Sequence, residues 1–270
     1  MKFTPKLPEG NVNVSTTHPL KELAWLLGGV VLLLGALVLV LGLSADLVAA
    51  RVPASVETWL GRQALAKFPG QESLPLERRL QTLLDGLPPD SPLHRYRFRV
   101  LVAKTEDVNA FALPGGTIVV NAGLLNKVES ENELAMVLAH ELGHFAHRDH
   151  LRSLGRGLGL AVATGLLFGG DSGASELVSN TLLTFQSRYS QGQEAAADEF
   201  GLDLLAKRYG HAGGATTFFV RLSEKEGGRI PHLLASHPHP RARIDDLNQR
   251  IQARHYAVAE VQPLGKDIRP

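Results

Sequence analysis

Two histidines four residues apart, with a glutamate between them, define the chemistry this chain is equipped for. His140-Glu141-Leu142-Gly143-His144 is an H-E-x-x-H pattern. On a helix, positions i and i+4 share a face, so His140 and His144 can both aim an imidazole nitrogen at one metal ion. Glu141 is turned by about 100° from His140 and borders the same site without ligating. Two neutral imidazoles suit Zn²⁺, and the glutamate suits removal of a proton from a water on that metal, the chemistry of a zinc protease. The chain has no cysteine. Thiolate sites are therefore excluded, and any further ligand must be a histidine or a carboxylate.

Glu194 and Asp198 meet that requirement. They lie four apart in the stretch 189–201, YSQGQEAAADEFG, and share one helix face. Ala195, Ala196 and Ala197 between them are small enough for another helix to come close. This reading makes Glu194 the third ligand, with Asp198 accepting a hydrogen bond from the far nitrogen of a ligating histidine and fixing its tautomer. The plain alternative is an exposed carboxylate face. A rival third ligand is His150, ten residues after His140, the spacing of the longer H-E-x-x-H-x-x-G-x-x-H zincins. The glycine position of that pattern is His147 here, and Met1 and Met136 are the only methionines, so no methionine turn follows. His147 and His150 are read instead as solvated residues or as supports for the ligands.

These groups need a helix and a sheet to position them. The spacing predicts a helix over 131–148. Ser130 and Glu133 form an S-x-x-E capping box, Leu134, Val137 and Leu138 supply an apolar face, and Gly143 permits a close neighbour. Upstream, 76–87 has apolar residues at helical spacing. Residues 96–104 alternate as a strand, and 109–113 and 117–121 flank the turn signal Pro114-Gly115-Gly116. One edge of this small sheet can serve as scaffold or can pair with an extended peptide substrate.

Residues 23–43 hold no charge, about the length needed to cross a hydrocarbon core, with Trp25 at one end as an interfacial aromatic. They read as an uncleaved anchor rather than a signal peptide, whose apolar region is about 7–15 residues. Lys2, Lys6 and Lys21 precede the span and Arg51 and Arg62 follow it. The positive-inside rule then favours a catalytic domain outside the cytoplasm. Residues 157–170 are uncharged but short for a span and read as a buried or membrane-surface helix. The tract 169–173 is a flexible joint, and with the apolar segment 177–185 it suggests a mobile hairpin over the site. The formal net charge of +1 gives no footing for nucleic acid.

Four ordered motifs resemble a known family. Asn109-Ala110-Phe111-Ala112-Leu113-Pro114-Gly115-Gly116 comes first, then His140 to His144, then the Tyr-Ser…Gln-Glu…Ala-Asp block around Glu194, then Ser236-His237-Pro238 with Arg243-Ile244. Together they are similar to zinc metallopeptidase family forty-eight, which includes the CAAX prenyl proteases, HtpX and BepA. The resemblance covers about residues 75 to 250. It implies a gluzincin fold with one Zn²⁺ held by His140, His144 and Glu194, Glu141 as base and Asp198 supporting a ligand. It implies that Asn109, Ala110, Phe111 and Ala112 supply the substrate-binding strand edge. It also brings His237 and Arg243 to the active site. There His237 stabilises the oxyanion or, in a latent form, takes the zinc's open position, and Arg243 holds a carboxylate. A proline-stiffened surface loop is the alternative for that last motif. Gln191 stands where the family commonly has arginine, and Ala196 where it commonly has an acid. One clear span, and an end at Pro270 without helical repeats, favour a single-anchor quality-control protease over a prenyl-peptide protease.

The expected architecture is α+β, a mostly helical zincin domain with a small β-sheet behind one transmembrane helix. Its divisions are a flexible arm (1–22), the anchor (23–43), a helical connector (44–74), the metallopeptidase domain (75–255) and a tail (256–270). The expected activity is hydrolysis of unfolded or misfolded proteins in extended conformation, at a bacterial inner membrane with the domain on the periplasmic side. The alternative is a membrane-tethered, zinc-containing binder or chaperone of unfolded chains.

Overall fold

The computed structural model describes residues 18–68, 70–168, 189–225, 237 and 240–269. The amino-terminal arm up to residue 17, the joint 169–173, the apolar segment 177–185 and the residues Ser236, Pro238 and His239 lie outside them.

The molecule is built around one helix. α1 (Pro19–Arg51) and α2 (Ala54–Leu65) come first, followed by strand β1 (Gln71–Glu72) and α3 (Leu74–Leu84). Strands β2 (Arg99–Ala103), β3 (Ala110–Leu113) and β4 (Thr117–Asn121) follow, then the single turn α4 (Ala122–Leu125). Next come α5 (Glu131–Ala146) and α6 (Asp149–Phe168), then α7 (Gln191–Tyr209), α8 (Thr217–Lys225) and α9 (Pro240–Ala253). α5 is the central one: every residue from Asn132 to Phe145 is buried. Its surroundings are α7, the sheet, α3 and α6, so the helix is buried on all sides rather than along the single apolar stripe expected from the sequence.

The start of α5 uses Ser130 as expected, its Oγ accepting from the Glu133 amide at 3.1 Å. The reciprocal half of a capping box is not made. Glu133 accepts from the Glu129 amide at 2.8 Å and from Arg221 at 2.7 Å, so its carboxylate ties α5 to α8 instead. The helix also stops at Ala146, short of residue 148, because Arg148 takes a positive φ of 57°. That left-handed residue reverses the chain between α5 and α6.

The sheet runs in the order β1-β2-β4-β3. β2 and β4 are parallel, and β3 and β4 form an antiparallel hairpin. Gly115 and Gly116 turn that hairpin with φ of 82° and 91°, a conformation that suits glycine alone at low cost. β3 thus holds one edge of the sheet. That edge is covered rather than exposed, since Ala110, Ala112 and Leu113 are fully buried and Phe111 nearly so.

The stretch read as a connector contributes to this body. β1 pairs with β2, and α2 places Leu60 and Ala64 in a cluster with Leu101, Phe111, Leu113 and Val119. Phe68 meets Phe111 edge-on at 5.1 Å. The residues read as a tail also pack back. Pro263 bridges to Ser130, Ile268 is buried, and Arg79 of α3 binds both Glu131 and Asp267.

Candidate metal centre

α5 and α7 press together where the chain is smallest. A Cβ on Gly143 would fall 2.8 Å from the Ala197 Cα, and one on Gly201 would fall 3.1 Å from the His140 amide nitrogen. This close approach brings the α7 carboxylates onto the α5 histidines. His140 Nε2 lies 3.1 Å from His144 Nε2, and these nitrogens lie 3.6 Å from Glu194 Oε2 and Oε1 respectively. His237 completes the group, its Nδ1 being 3.2 Å from His140 Nε2 and 3.0 Å from Glu194 Oε1. All four side chains are buried.

The far nitrogens fix what the near ones offer. His140 Nδ1 is 2.8 Å from Asp198 Oδ1, and His144 Nδ1 is 3.0 Å from Asp149 Oδ2. A carboxylate only accepts, so both Nδ1 atoms carry the proton and both Nε2 atoms present lone pairs. Burial, and then the charge of Arg243, lower the His140 pKa to about 4, which keeps that ring neutral. Two lone pairs facing each other at 3.1 Å repel unless a cation lies between them.

The donor set fits such a cation. Nitrogen and oxygen ligands about 2.0–2.1 Å from a tetrahedral zinc lie about 3.3 Å from one another. Among His140, His144 and Glu194, and from His237 to His140 and Glu194, the separations run from 3.0 to 3.6 Å, and all four donors fall within 4.8 Å of one another. Glu141 points the same way. Among the described residues, both of its oxygens are fully buried without a hydrogen bond, and His237 Nε2 lies 3.7 Å from one of them. Burial raises the Glu141 pKa, as a base facing a dry pocket requires.

Arg243 ties the group together. Its guanidinium donates to both oxygens of Asp198 at 2.7 Å each and reaches Glu194 Oε2 at 3.0 Å. Burial works against the charge of Arg243, and the carboxylates of Asp198 and Glu194 override it. Burial likewise opposes ionised Glu194 and Asp198. His237 and Arg243 hold Glu194, and chiefly Arg243 holds Asp198, well below the usual carboxylate range.

His140, Glu141, His144, Glu194, Asp198, His237 and Arg243 come together at one point. Ala110 to Ala112 lie on β3, whose strand packs against α5. His150 is neither a ligand nor solvated. It is fully buried and bonds Glu57 of α2 at 2.8 Å, while His147 is half-buried. One participant, Asp149, escapes a reading by motif, because it lies past the helix end. Gln193, which donates to the second oxygen of Asp149 at 2.8 Å, and Tyr189, which stacks on the His144 ring at 3.8 Å, belong to the block around Glu194 but had no role of their own in it. Asp149 has a signal in hindsight: a carboxylate directly after a chain reversal, five residues from a histidine.

A model of peptidase family M48 matches residues 75–251. The chain belongs to that family. Among M48 relatives it is 30% identical over 185 residues to the Escherichia coli metalloprotease LoiP, covering 65% of this chain and 71% of LoiP. It is 27% identical over 188 residues to the beta-barrel assembly-enhancing protease of Yersinia pestis, and 34% identical over 161 residues to the mitochondrial metalloendopeptidase OMA1 of Arabidopsis thaliana. Those matches cover 65% and 59% of this chain but only 39% and 33% of the two relatives, so the chain spans well under half of their length. The buried His and Glu cluster could hold a metal ion.

Proposed function

We propose that this M48 chain is a membrane-anchored zinc endopeptidase that hydrolyses peptide bonds of unfolded or misfolded envelope proteins. The observation that carries the reading is the set of four buried donors, all within 4.8 Å of one another, beside a buried glutamate with no hydrogen bond among the described residues. His140, His144 and Glu194 would hold the zinc. When bound, zinc supplies Lewis-acid polarisation of a carbonyl and lowers the pKa of a water.

The chain's own residues do the rest. Glu141 takes a proton from the attacking water and returns it to the leaving amine, which its raised pKa favours. Asp198 and Asp149 keep His140 and His144 in the ligating tautomer, and Arg243 neutralises the two α7 carboxylates that burial would otherwise protonate. The edge strand β3, with Asn109, Ala110, Phe111 and Ala112, aligns an extended substrate backbone by strand addition. Because that edge is buried, substrate access requires its cover to move. α1 supports the anchor, with the apolar stretch 23–43 and large apolar side chains such as Trp25 exposed to 83%. The names of the β-barrel assembly-enhancing relatives support an envelope protease.

A second reading follows from His237. A closed set of four protein ligands is the mark of a non-catalytic zinc site, and His237 Nδ1 sits among the donors. The conformation described here is then a latent one, with His237 in the position a substrate or water would use. The test is zinc content together with casein cleavage for full-length wild type and Glu141→Gln. One zinc in both with cleavage in wild type alone supports the endopeptidase. Zinc without cleavage in either supports the latent or binding form, and equal cleavage by both removes Glu141 as the base.

A further inference from the structure

α6 leaves the metal centre at Asp149 and turns back along α1. The Arg148 guanidinium donates to the carbonyl oxygens of Ala50 and Val52 at 3.0 and 2.9 Å. Further along, Arg156 Nη1 is 3.4 Å from Asp46 Oδ1, and a Cβ on Gly155 would meet the Ala45 Cβ at 3.2 Å. Residue 148 is thus level with 50, and residues 155 and 156 with 45 and 46, so the two helices are antiparallel. With the same rise on both, residue 160 falls level with about residue 42 and residue 168 with about residue 34.

The burial of α1 follows that register. Among the described side chains of residues 31–50, Leu34, Leu37, Gly42, Ala45 and Ala49 are shielded and the others are exposed. Steps of three to five residues mark one helix face. α6 is the element packed most extensively on α1, and the shielded stripe continues into the middle of the apolar stretch.

Charge stops at the same level on both helices. On α1 no charged residue lies between Glu22 and Asp46, and on α6 none lies between Arg156 and its end at Phe168. Arg152 and Arg156 both face Asp46. Beyond this cluster two uncharged helices lie side by side, and the outer face of α1 exposes Leu32, Leu33 and Leu39 to 71%, 68% and 63%.

We propose that residues 157–168 of α6 enter the lipid bilayer beside the anchor, so that hydrocarbon is the partner of this two-helix face. The proposal rests on α1 being the anchor. The segment rises about 18 Å, little more than half of a hydrocarbon core of about 30 Å. It therefore dips in without crossing. The Arg152–Asp46–Arg156 cluster sits at the headgroup level, where charged groups remain hydrated. The C-terminal end of α5, fastened through Arg148 to Ala50, stands about 10 Å above Leu43. The metal centre is held at the membrane surface, and its substrates are polypeptide segments lying on or emerging from the bilayer.

The absence of native cysteine makes the test clean. Full-length protein in phosphatidylcholine–phosphatidylglycerol vesicles carries one cysteine, labelled with an environment-sensitive fluorophore, in place of Leu33, Val162, Ala163, Leu166 or Val258. The three α6 positions cover more than one helix face. Lipids bearing a nitroxide on the acyl chain should quench the label at 33 and at one or more of 162, 163 and 166 to within about twofold of each other, and leave 258 bright. Quenching at 33 with none at the three α6 positions overturns the proposal while keeping the anchor, and means that protein, for instance a second copy of this chain, covers that face. No quenching at 33 overturns the anchor reading and the proposal with it.

Discussion

Asp149 Oδ2 lies 3.0 Å from Nδ1 of His144, with both side chains fully buried. Asp198 stands in the same relation to His140 at 2.8 Å. Each histidine on α5 therefore has its own carboxylate, one reached along α7 and one by reversing the chain at Arg148. Carboxylates that orient metal-bound histidines are each worth about 10–100-fold in metal affinity. Asp149→Ala should weaken zinc binding by that factor, read by competition with a chromogenic chelator, while circular dichroism stays native. Unchanged affinity would leave Asp149 a purely structural contact.

His237 and Glu194 share a contact of 3.0 Å that His237 gives up if it swings away. If the closed arrangement holds about 90% of the molecules, removing the imidazole should raise turnover of an unfolded substrate about tenfold, by the arithmetic of a fractionally populated competent state. His237→Ala should retain one zinc, since His140, His144 and Glu194 remain. A fall in kcat with zinc retained would instead assign His237 to stabilising the oxyanion.

Gly143 was legible as a point of close approach, and its neighbour is the backbone of Ala197, three residues past Glu194. A methyl group there must push α7 off α5. Gly143→Ala should destabilise the fold by about 1–3 kcal/mol and weaken zinc binding, because Glu194 and Asp198 ride on the displaced helix. Gly192→Ala, on the same helix with no atom within 4 Å of the added Cβ, is the control and should leave both quantities nearly unchanged. Equal effects from the two variants would remove packing as the cause.

What the sequence made readable follows from range. His140, Glu141 and His144 lie on one helical turn, and Glu194 and Asp198 on another, so local periodicity placed each pair on a face. His237 and Arg243 carry no period that links them to α5, and only the family resemblance brought them near. Asp149 was missed because helical spacing was extended through residue 148, where the backbone in fact turns left-handed. The two-residue strand β1 has no pattern long enough to read, and the burial of β3 depends on neighbours far along the chain. Glu57 lies in the stretch read as a connector, where no local pattern marks it, yet it is 2% exposed and pairs with groups 39 to 93 residues away.

Glu57 yields the pH prediction. Its carboxylate accepts from His150 Nε2 at 2.8 Å, from Arg148 Nη2 at 2.9 Å and from the Tyr96 hydroxyl at 3.3 Å. Burial alone would raise its pKa, but His150, Arg148 and Tyr96 override it and lower the value from 4.5 to about 2. A carboxyl whose folded pKa lies below its unfolded one stabilises the protein above the unfolded value and loses that contribution as pH falls toward the folded one. The Glu57 contribution is therefore complete above about pH 4.5 and fades between there and about pH 2. Glu57→Gln has no such titration. Melting temperatures measured from pH 6 down to pH 2.5 should show the variant well below wild type at pH 6, with the gap narrowing steadily below pH 4.5. A gap that stays constant over this range would mean that Glu57 titrates alike in the folded and unfolded chain, and that its contacts with Arg148 and His150 add nothing electrostatic to the joint between anchor and metal helix.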